Sequence, residues 1–474
     1  MKNISRKPMK ELRTIVMKSN ASLENSFNQS LFLILSFQYL QPQFLGIDFD
    51  TEFLPYATIF LMFYSGLKFR KFLFKSYFLF NLLVFLILIL YGFILSGVNN
   101  YFSIIPLVTI FSPLICILLT LGLSGKYNFN PSNRIFLYCW VIWFIVLLVQ
   151  YCFPSFYESI SVLFFKRNSF QVGGERGLSG ISSEPSFAAE VLFLFYTVWR
   201  LKLCSFTNRV NVGFLVTYIL AIVLNGSITM YGLLFMIMLI EIIVYSVYSI
   251  THQGYDLLSR IIDILTSQLL KYTAVMLTAA TILVITLGIS TPIRILSLLD
   301  YSLGDKATVS SVSYLSKSSD FISDINLIIY DTTLIKFGSW RTLGNYVGYN
   351  LSLRNFPFAL GIGSASGYAT NSIFSNVMDE LFYTYDSTLS DWLVTSFSYM
   401  PYAGADLGFL FIVLTLFWIF RVTRILNLLK ESPLRGAIVI SGLISILIIS
   451  PKGSLSPWFV MIYGSSSFPT IKPQ

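Results

Sequence analysis

The segment 176–190 (RGLSGISSEPSFAAE) carries the strongest local pattern of charged and polar residues in the chain. It begins as a Gly/Ser-rich loop and turns directly into an apolar run. Pro185 suits the first turn of a helix, where its missing N–H costs no hydrogen bond. Glu184 would then lie at the positive end of the helix dipole, with Arg176 eight residues upstream. The pattern predicts a cation and a carboxylate at the mouth of a helix bundle; a capped helix with a solvated arginine is the structural alternative.

A second group of candidate residues lies between positions 340 and 363. Arg341 and Arg354 are suited to phosphate, because the guanidinium fork matches phosphate oxygens bidentately. Aromatic side chains here offer flat faces for sugars, and asparagines offer groups that read hydroxyls: Trp340, Tyr346, Tyr349 and Asn345. These residues predict a binding surface for an anionic glycan. An interfacial aromatic belt is the structural alternative.

Two carboxylates fall inside predicted membrane helices, where a charged side chain is costly. Such a residue is by default a candidate for a functional role. Glu190 lies one turn inside the boundary and is a candidate substrate contact, whereas Glu241 is expected to bind a Ser, Tyr or Asn on a neighbouring helix. The single histidine, His252, is predicted on the cytoplasmic side. A Ser-His-Asp triad or a His-ligated zinc site on the opposite side is therefore excluded. Neither a metal nor a cofactor is expected.

Composition shows which solvent must surround these residues. Of 474 residues, 55% are hydrophobic and 12% are charged, and the mean hydropathy is +0.72. Soluble domains carry about 25% charged residues, so this chain has too little polar surface for water. We expect an all-α, polytopic transmembrane bundle of eleven or twelve spans. The predicted spans lie near 29–46, 53–67, 76–96, 102–122, 134–152, 185–200, 211–226, 229–250, 272–290, 404–420, 436–450 and 454–465.

The distribution of basic residues predicts the topology. Twenty-two of the 32 Lys and Arg residues fall in alternate loops on one side, and three short opposite loops near 47–52, 97–101 and 226–229 carry none. The positive-inside rule then assigns both termini to the cytoplasm. The charge is spread between apolar runs, not gathered in one patch, so a nucleic-acid partner is not expected.

The topology divides the chain into four parts. These are a basic cytoplasmic segment (1–28), a first set of nine spans with the external loop 153–184 (29–290), a long periplasmic loop (291–403), and the C-terminal spans with a cytoplasmic tail (404–474). A structureless loop of more than 100 residues is improbable, so we expect short interfacial helices within 291–403.

Several short motifs in this order resemble the O-antigen polymerase (Wzy-type) family. The motifs are Arg176-x-x-Gly with Ser183-Glu184-Pro185-Ser186-x-x-Ala189, the turn Asn225-Gly226-Ser227, Arg341, Pro357-x-x-x-Gly361-x-Gly363, and Asp406-x-Gly408. The resemblance covers roughly residues 130–425. Ile228 stands where relatives often carry an arginine, and the external histidine often used by the related O-antigen ligases is absent, which favours polymerase over ligase.

The resemblance implies a fold like that of GT-C-type polymerases and ligases, and an inverting, metal-independent glycosyl transfer in the bacterial inner membrane. The implied substrates are undecaprenyl-diphosphate-linked oligosaccharide repeat units in the bilayer, with a chain-length-determining membrane protein as a further candidate partner. The growing glycan would move to the non-reducing end of a new lipid-linked unit on the periplasmic face. Arg176 and Arg341 would hold the diphosphate with support from Arg354, and Glu184 would orient or deprotonate the acceptor hydroxyl, or fix an arginine.

Three other functions share parts of this pattern. A lipid-linked-oligosaccharide flippase would show short loops and two similar halves, whereas this chain has a long loop and no internal repeat. An O-antigen ligase would use the same chemistry with another acceptor. An ion-coupled transporter would need charge near the middle of the membrane, where only Glu241 qualifies.

Overall fold

The computed structural model describes residues 29–40, isolated positions between 83 and 114, 131–162, 177–182, 184–253, isolated positions between 345 and 362, 398–450 and 454–465. This part of the chain is mostly helical and contains no strand, which agrees with the all-α prediction. The predicted spans 53–67 and 272–290, the segment 1–28 and most of the loop 291–403 lie outside the described residues.

Ten helices with defined bounds follow the helical segment 29–36. They are α1 (Asn133–Cys152), α2 (Pro154–Ser161), α3 (Pro185–Lys202), α4 (Asn208–Asn225), α5 (Ile228–Gln253), α6 (Tyr399–Leu407), α7 (Phe409–Thr423), α8 (Ile425–Glu431), α9 (Pro433–Ile444) and α10 (Ser456–Ser465). A short 3₁₀ turn, Leu203–Ser205, follows α3, and a π-helical turn, Ser445–Ile449, follows α9.

Four helices in the described part are long and apolar enough to cross a membrane. They are Asn133–Cys152, Asn208–Asn225, Thr229–Tyr248 and the stretch Phe409–Glu431, with Pro433–Ile449 as a shorter apolar helix. These helices indicate a membrane protein. The predicted spans 134–152, 211–226 and 229–250 correspond to α1, α4 and α5 of this set, whereas the predicted span 185–200 corresponds to helix α3, which is not among the four.

Helix α3 is the centre of the bundle. Pro185 occupies its first turn, after Glu184 in an extended conformation, as the sequence predicted. Fifteen of its 18 residues are buried, and it packs chiefly against α5 and α10. A helix that is buried on every side is surrounded by protein and not by lipid. Its three charged residues can therefore be kept inside the bundle only through partners on neighbouring helices.

The predicted span 404–420 is two helices in the structure. Helix α6 ends at Leu407 and α7 begins at Phe409. Gly408 between them has φ 85° and ψ 167°, a region open essentially to glycine alone. The apolar run continues through the break, so hydropathy alone does not reveal it.

The bundle has two chemically different ends. Ser456, the first residue of α10, contacts Gln38, and Glu190, in the second turn of α3, contacts Tyr39. Because residues 38 and 39 are neighbours, the two helices start at the same end of the bundle. We call this the loop end. At the other end, the basic end, α3 meets the start of α1, and Arg435 of α9 meets the end of α10.

The two ends differ in their content of basic residues. Apart from the buried Arg200, every Lys and Arg in the described part lies at the basic end. These residues are Arg134, Lys202, Arg209, Arg421, Arg424, Lys430 and Arg435.

Candidate functional site

The loop 177–182 lies against the turn between α4 and α5. Gly177 has φ +85°, and a Cβ there would lie 1.9 Å from the carbonyl oxygen of Asn225. Only glycine fits such a close backbone approach. The N–H of Leu178 donates to the carbonyl of Leu224 at 3.1 Å. Two motifs that carry the resemblance, 176–189 and 225–227, are therefore in direct contact.

Asn225 ties both ends of this loop together. Its side chain is fully buried, and Nδ2 donates to the carbonyls of Leu178 and Pro185, both at 2.9 Å. Its Oδ1 accepts from the N–H of Ser227 at 3.4 Å. A single amide thus fixes the start of the loop, the start of α3 and the α4–α5 turn. The sequence identified this turn but not the role of its first residue.

Helices α1 and α2 hold the loop from the opposite side. Gln150 of α1 accepts from the N–H of Gly180 at 2.8 Å and donates to Ser179 at 3.3 Å. Tyr157 of α2 donates its hydroxyl proton to the carbonyl of Gly180. Burial raises the pKa of Tyr157 well above its usual range, so the hydroxyl keeps the proton that it donates.

Glu184 caps the start of α3 at the edge of this loop. Its carbonyl accepts from the N–H groups of Phe187 and Ala188, both at 3.1 Å, and from the hydroxyl of Ser182 at 2.7 Å. The half-buried side chain accepts from the hydroxyl of Ser186 at 3.3 Å. The carboxylate therefore lies at the positive end of the helix dipole, as expected. Arg176, its expected neighbour, lies outside the described residues.

Glu190 lies one turn deeper and is almost fully buried. It accepts from the hydroxyl of Tyr39 at 3.3 Å, and the Tyr39 ring stacks on Phe187 with centroids 5.1 Å apart. Gln38, the preceding residue, bonds the start of α10 through the N–H of Leu455 and the hydroxyl of Ser456. Glu190 is thus part of the packing that joins α3, the segment 29–40 and α10.

Asn345 and Tyr349 anchor part of the long loop to the bundle. Asn345 donates to the Ser398 hydroxyl and the Ile448 carbonyl at 2.9 and 2.8 Å, and accepts from the Ser398 N–H at 2.7 Å. The Tyr349 hydroxyl donates to the carbonyl of Leu447 at 2.9 Å. Both carbonyls belong to the π turn that follows α9, so two side chains bind polar groups of an irregular helix end.

This geometry gives Asn345 and Tyr349 structural contacts in addition to the sugar-binding role predicted for them. The amide of Asn345 is buried and makes three hydrogen bonds to Ser398 and Ile448, so it is directed at the bundle. Arg341, Arg354, Trp340 and Tyr346 lie outside the described residues, and their roles stay predictions.

A second pair of predicted motifs is also in contact. The N–H of Gly361 donates to the carbonyl of Asp406 at 3.0 Å, and the N–H of Ile362 donates to the carbonyl of Gly92 at 3.1 Å. Gly361 belongs to the Pro357–Gly363 motif, and Asp406 to the Asp-x-Gly motif that ends at Gly408. These contacts join the end of α6 to the segment that follows Arg354.

The structure also contains an ion pair that was not predicted from the sequence. Arg200 of α3 pairs with Glu241 of α5 at 3.1 Å, and both side chains are fully buried. Arg200 also donates to the Tyr196 hydroxyl at 2.7 Å. Arg200 is one of the 22 basic residues that were assigned to loops on the cytoplasmic side, and a Ser, Tyr or Asn was the predicted partner of Glu241. In the structure Arg200 lies within α3 and is itself the partner of Glu241, so both predictions were wrong. Arg200 lies two residues before the end of α3, a position that the charge-count rule takes for a loop.

In the described part of the chain, no three His, Cys, Asp or Glu side chains come together. The chain matches no protein-family model, no curated protein and no solved structure.

Proposed function

We propose that this chain polymerises lipid-diphosphate-linked oligosaccharide repeat units on the non-cytoplasmic face of a bacterial inner membrane. Each cycle transfers the growing glycan from undecaprenyl diphosphate to the non-reducing end of a new lipid-linked unit. The acceptor hydroxyl attacks the anomeric carbon, the bond from that carbon to the diphosphate oxygen breaks, and the configuration inverts. Undecaprenyl diphosphate leaves, and the hydroxyl proton passes to a carboxylate or to water.

One observation carries the proposal: two separate loop systems are fixed at the same end of the bundle. Asn225 holds the loop that follows Arg176, while Asn345 and Tyr349 hold the segment between Arg341 and Arg354. The basic residues of the described part gather at the opposite end. With the positive-inside rule, this supports a loop end outside the cytoplasm and cytoplasmic termini.

For this reaction the protein must mainly position the substrates and stabilise charge. A lipid diphosphate is already a good leaving group, so the enzyme must align two lipid-anchored substrates and neutralise the charge that develops on the diphosphate. Arg176 and Arg341 are proposed for that charge, with Arg354 in support, and Glu184 for the acceptor hydroxyl. A half-buried carboxylate at a helix start is suited to orient a hydroxyl.

The Arg200–Glu241 pair favours this function over ion-coupled transport. Glu241 was the only candidate for a coupling carboxylate near the middle of the membrane. The buried guanidinium of Arg200 neutralises it, and removing that partner would leave an uncompensated buried charge.

The first experiment replaces the two proposed diphosphate ligands in cells. Arg176→Ala and Arg341→Ala should each abolish long-chain polysaccharide at an unchanged protein level, because loss of one charge-stabilising donor costs about 10²–10³ in rate. Arg209→Ala, at an exposed arginine of the basic end, is the matched control and should keep the glycan ladder. Unchanged ladders in both test variants would defeat the proposed site.

Lysine substitutions separate charge from geometry. Arg176→Lys and Arg341→Lys keep the positive charge but lose the bidentate fork. Both should fail to make long chains if the fork holds the diphosphate. Full activity of the lysine variants would show that charge alone suffices.

The flippase alternative is tested in a deletion strain. Loss of a polymerase leaves single repeat units on the periplasmic side, whereas loss of a flippase leaves them on the cytoplasmic side. Accumulation of lipid-linked units that are accessible only from the cytoplasm would exclude the proposed function.

A further inference from the structure

Helix α2 has three chemically distinct faces. Tyr157 and Ser161 are buried against the bundle, with Tyr157 only 7% exposed. Beside them, Phe156 and Ile160 form an exposed apolar face, and Phe156 is 60% exposed. The remaining face is polar and carries Ser155, Glu158 and Ser159. A short helix with protein, apolar and polar faces is suited to the boundary between lipid and water.

The position of α2 along the bundle agrees with that boundary. Helix α1, which precedes it, has 20 residues, and a rise of about 1.5 Å per residue gives it about the thickness of the hydrocarbon layer. Its outward side is apolar and exposed from Tyr138 through Ile145 to Tyr151. Helix α2 begins two residues after α1 ends, so it starts where the membrane-crossing length is used up.

The residues at the junction extend the apolar surface from α1 to α2. Tyr151 and Phe153 are 60% and 62% exposed, and they continue the outward surface of α1 towards Phe156. Aromatic side chains are enriched at membrane–water interfaces, where ring and polar groups each find a suitable environment. The surface is therefore continuous with the membrane-facing side of a spanning helix.

We infer that α2 lies in the headgroup region of the bilayer, with Phe156 and Ile160 inserted among the acyl-chain carbons nearest the headgroups. The Tyr157 hydroxyl bonds the Gly180 carbonyl, so α2 also fixes the loop 177–182 at that depth. The partner is a lipid surface. The inferred position of α2 does not depend on the proposed function. One consequence of that position, that Glu184 lies at the depth of a lipid-borne phosphate, bears on catalysis only if the proposed function is correct.

The test measures the depth of single nitroxide labels in the full chain reconstituted in phospholipid vesicles. Labels are placed through Ile145→Cys, Phe156→Cys and Ser159→Cys in a background whose native cysteines are replaced by Ser or Ala. Collisions with oxygen report lipid, and collisions with a water-soluble nickel chelate report water. We expect oxygen to dominate at 145, the chelate at 159, and intermediate values at 156.

Two outcomes would overturn the inference. A label at 156 as accessible to the chelate as the label at 159 would mean that this face lies in water. A label at 156 protected from both reagents would mean that another protein surface covers it. Neither result measures glycosyl transfer, so failure here is distinguishable from failure of the proposed function.

A measurement on the native chain covers the case in which the cysteine-free background does not fold. A phospholipid with a photoactivatable group near its headgroup is incorporated into vesicles with the unmodified protein. Mass spectrometry should then find adducts within residues 153–160. Adducts on α1 without any on α2 would contradict the inference.

Discussion

The two ends of helix α3 use charged and polar groups in opposite ways. Towards the basic end, Arg200 and Glu241 are fully buried and neutralise each other across two helices. At the loop end, Glu184 is half-buried at a helix start, and neutral amides and backbone groups hold the surrounding loop. Near the basic end, two buried charged groups thus join two helices, whereas at the loop end uncharged groups hold the loop 177–182, and Glu190 is bonded by a neutral tyrosine hydroxyl.

The largest expected effect comes from breaking the buried ion pair. Arg200→Ala or Glu241→Ala leaves an uncompensated buried charge and should destabilise the protein by about 3–5 kcal/mol. The double variant Arg200→Met/Glu241→Leu removes both charges while keeping volume, and should recover most of that loss. Thermal unfolding of the purified protein in detergent measures all three variants.

The stability of the double variant, compared with that of the single variants, tests whether Arg200 and Glu241 act as a pair. If Arg200→Met/Glu241→Leu is as unstable as the sum of the single variants, the two charges do not act as a pair. Polysaccharide yield per folded protein molecule should stay near the wild-type value in the double variant, because the ion pair is remote from the loop end.

An effect of similar size is expected for Asn225→Asp, which cannot donate to the carbonyls of Leu178 and Pro185. Leaving buried carbonyls without donors costs about 1–3 kcal/mol each. The matched control is Asn211→Asp at the basic end, where Nδ2 donates to the Leu203 carbonyl at 3.1 Å and Oδ1 accepts from Trp199. Thermal stability should fall in both variants.

Activity should separate these two variants. Polysaccharide yield per folded molecule should fall at least tenfold for Asn225→Asp and remain close to the wild-type value for Asn211→Asp. Equal yields would show that the hydrogen bonds of Asn225 to the loop 177–182 and to the start of α3 do not position the site. The two ends of the bundle would then differ in packing alone.

The smallest effect is expected for Tyr349→Phe, which removes one hydroxyl-to-carbonyl bond to the π turn. Such a bond contributes about 1 kcal/mol. Tyr218→Phe is the matched control, since the Tyr218 hydroxyl donates to the Leu192 carbonyl at 3.0 Å inside the bundle. Stability should drop slightly in both, whereas glycan chains should shorten only in Tyr349→Phe. Chains of wild-type length in that variant would remove Tyr349 from the positioning of the long loop.

Local patterns predicted the start of α3 and the loop before it. Pro185 in a first turn and Gly177 on a loop specify their own backbone conformations, so both followed from residue type. Three predicted spans, 134–152, 211–226 and 229–250, followed from apolar length, because hydropathy is a property of each segment by itself. The break at Gly408 did not, since one glycine in an apolar run gives no signal of a positive φ.

Contacts between distant segments could not be predicted from the same patterns. The Arg200–Glu241 pair joins residues 41 positions apart, and Asn345 reaches Ile448 across 103 positions. Which helix faces another depends on packing of the whole bundle, which a single helix does not encode. Asn225 was noted as part of a turn, but its donation to both ends of the loop required the fold.

The most direct test of the central claim is extension of a defined, synthetic lipid-linked repeat unit by the purified protein alone. The account predicts a ladder of products, release of one undecaprenyl diphosphate for each unit added, and loss of both in Arg176→Ala and Arg341→Ala. A folded wild-type protein that forms no product from a matching repeat unit, or a ladder that persists in both variants, would contradict it.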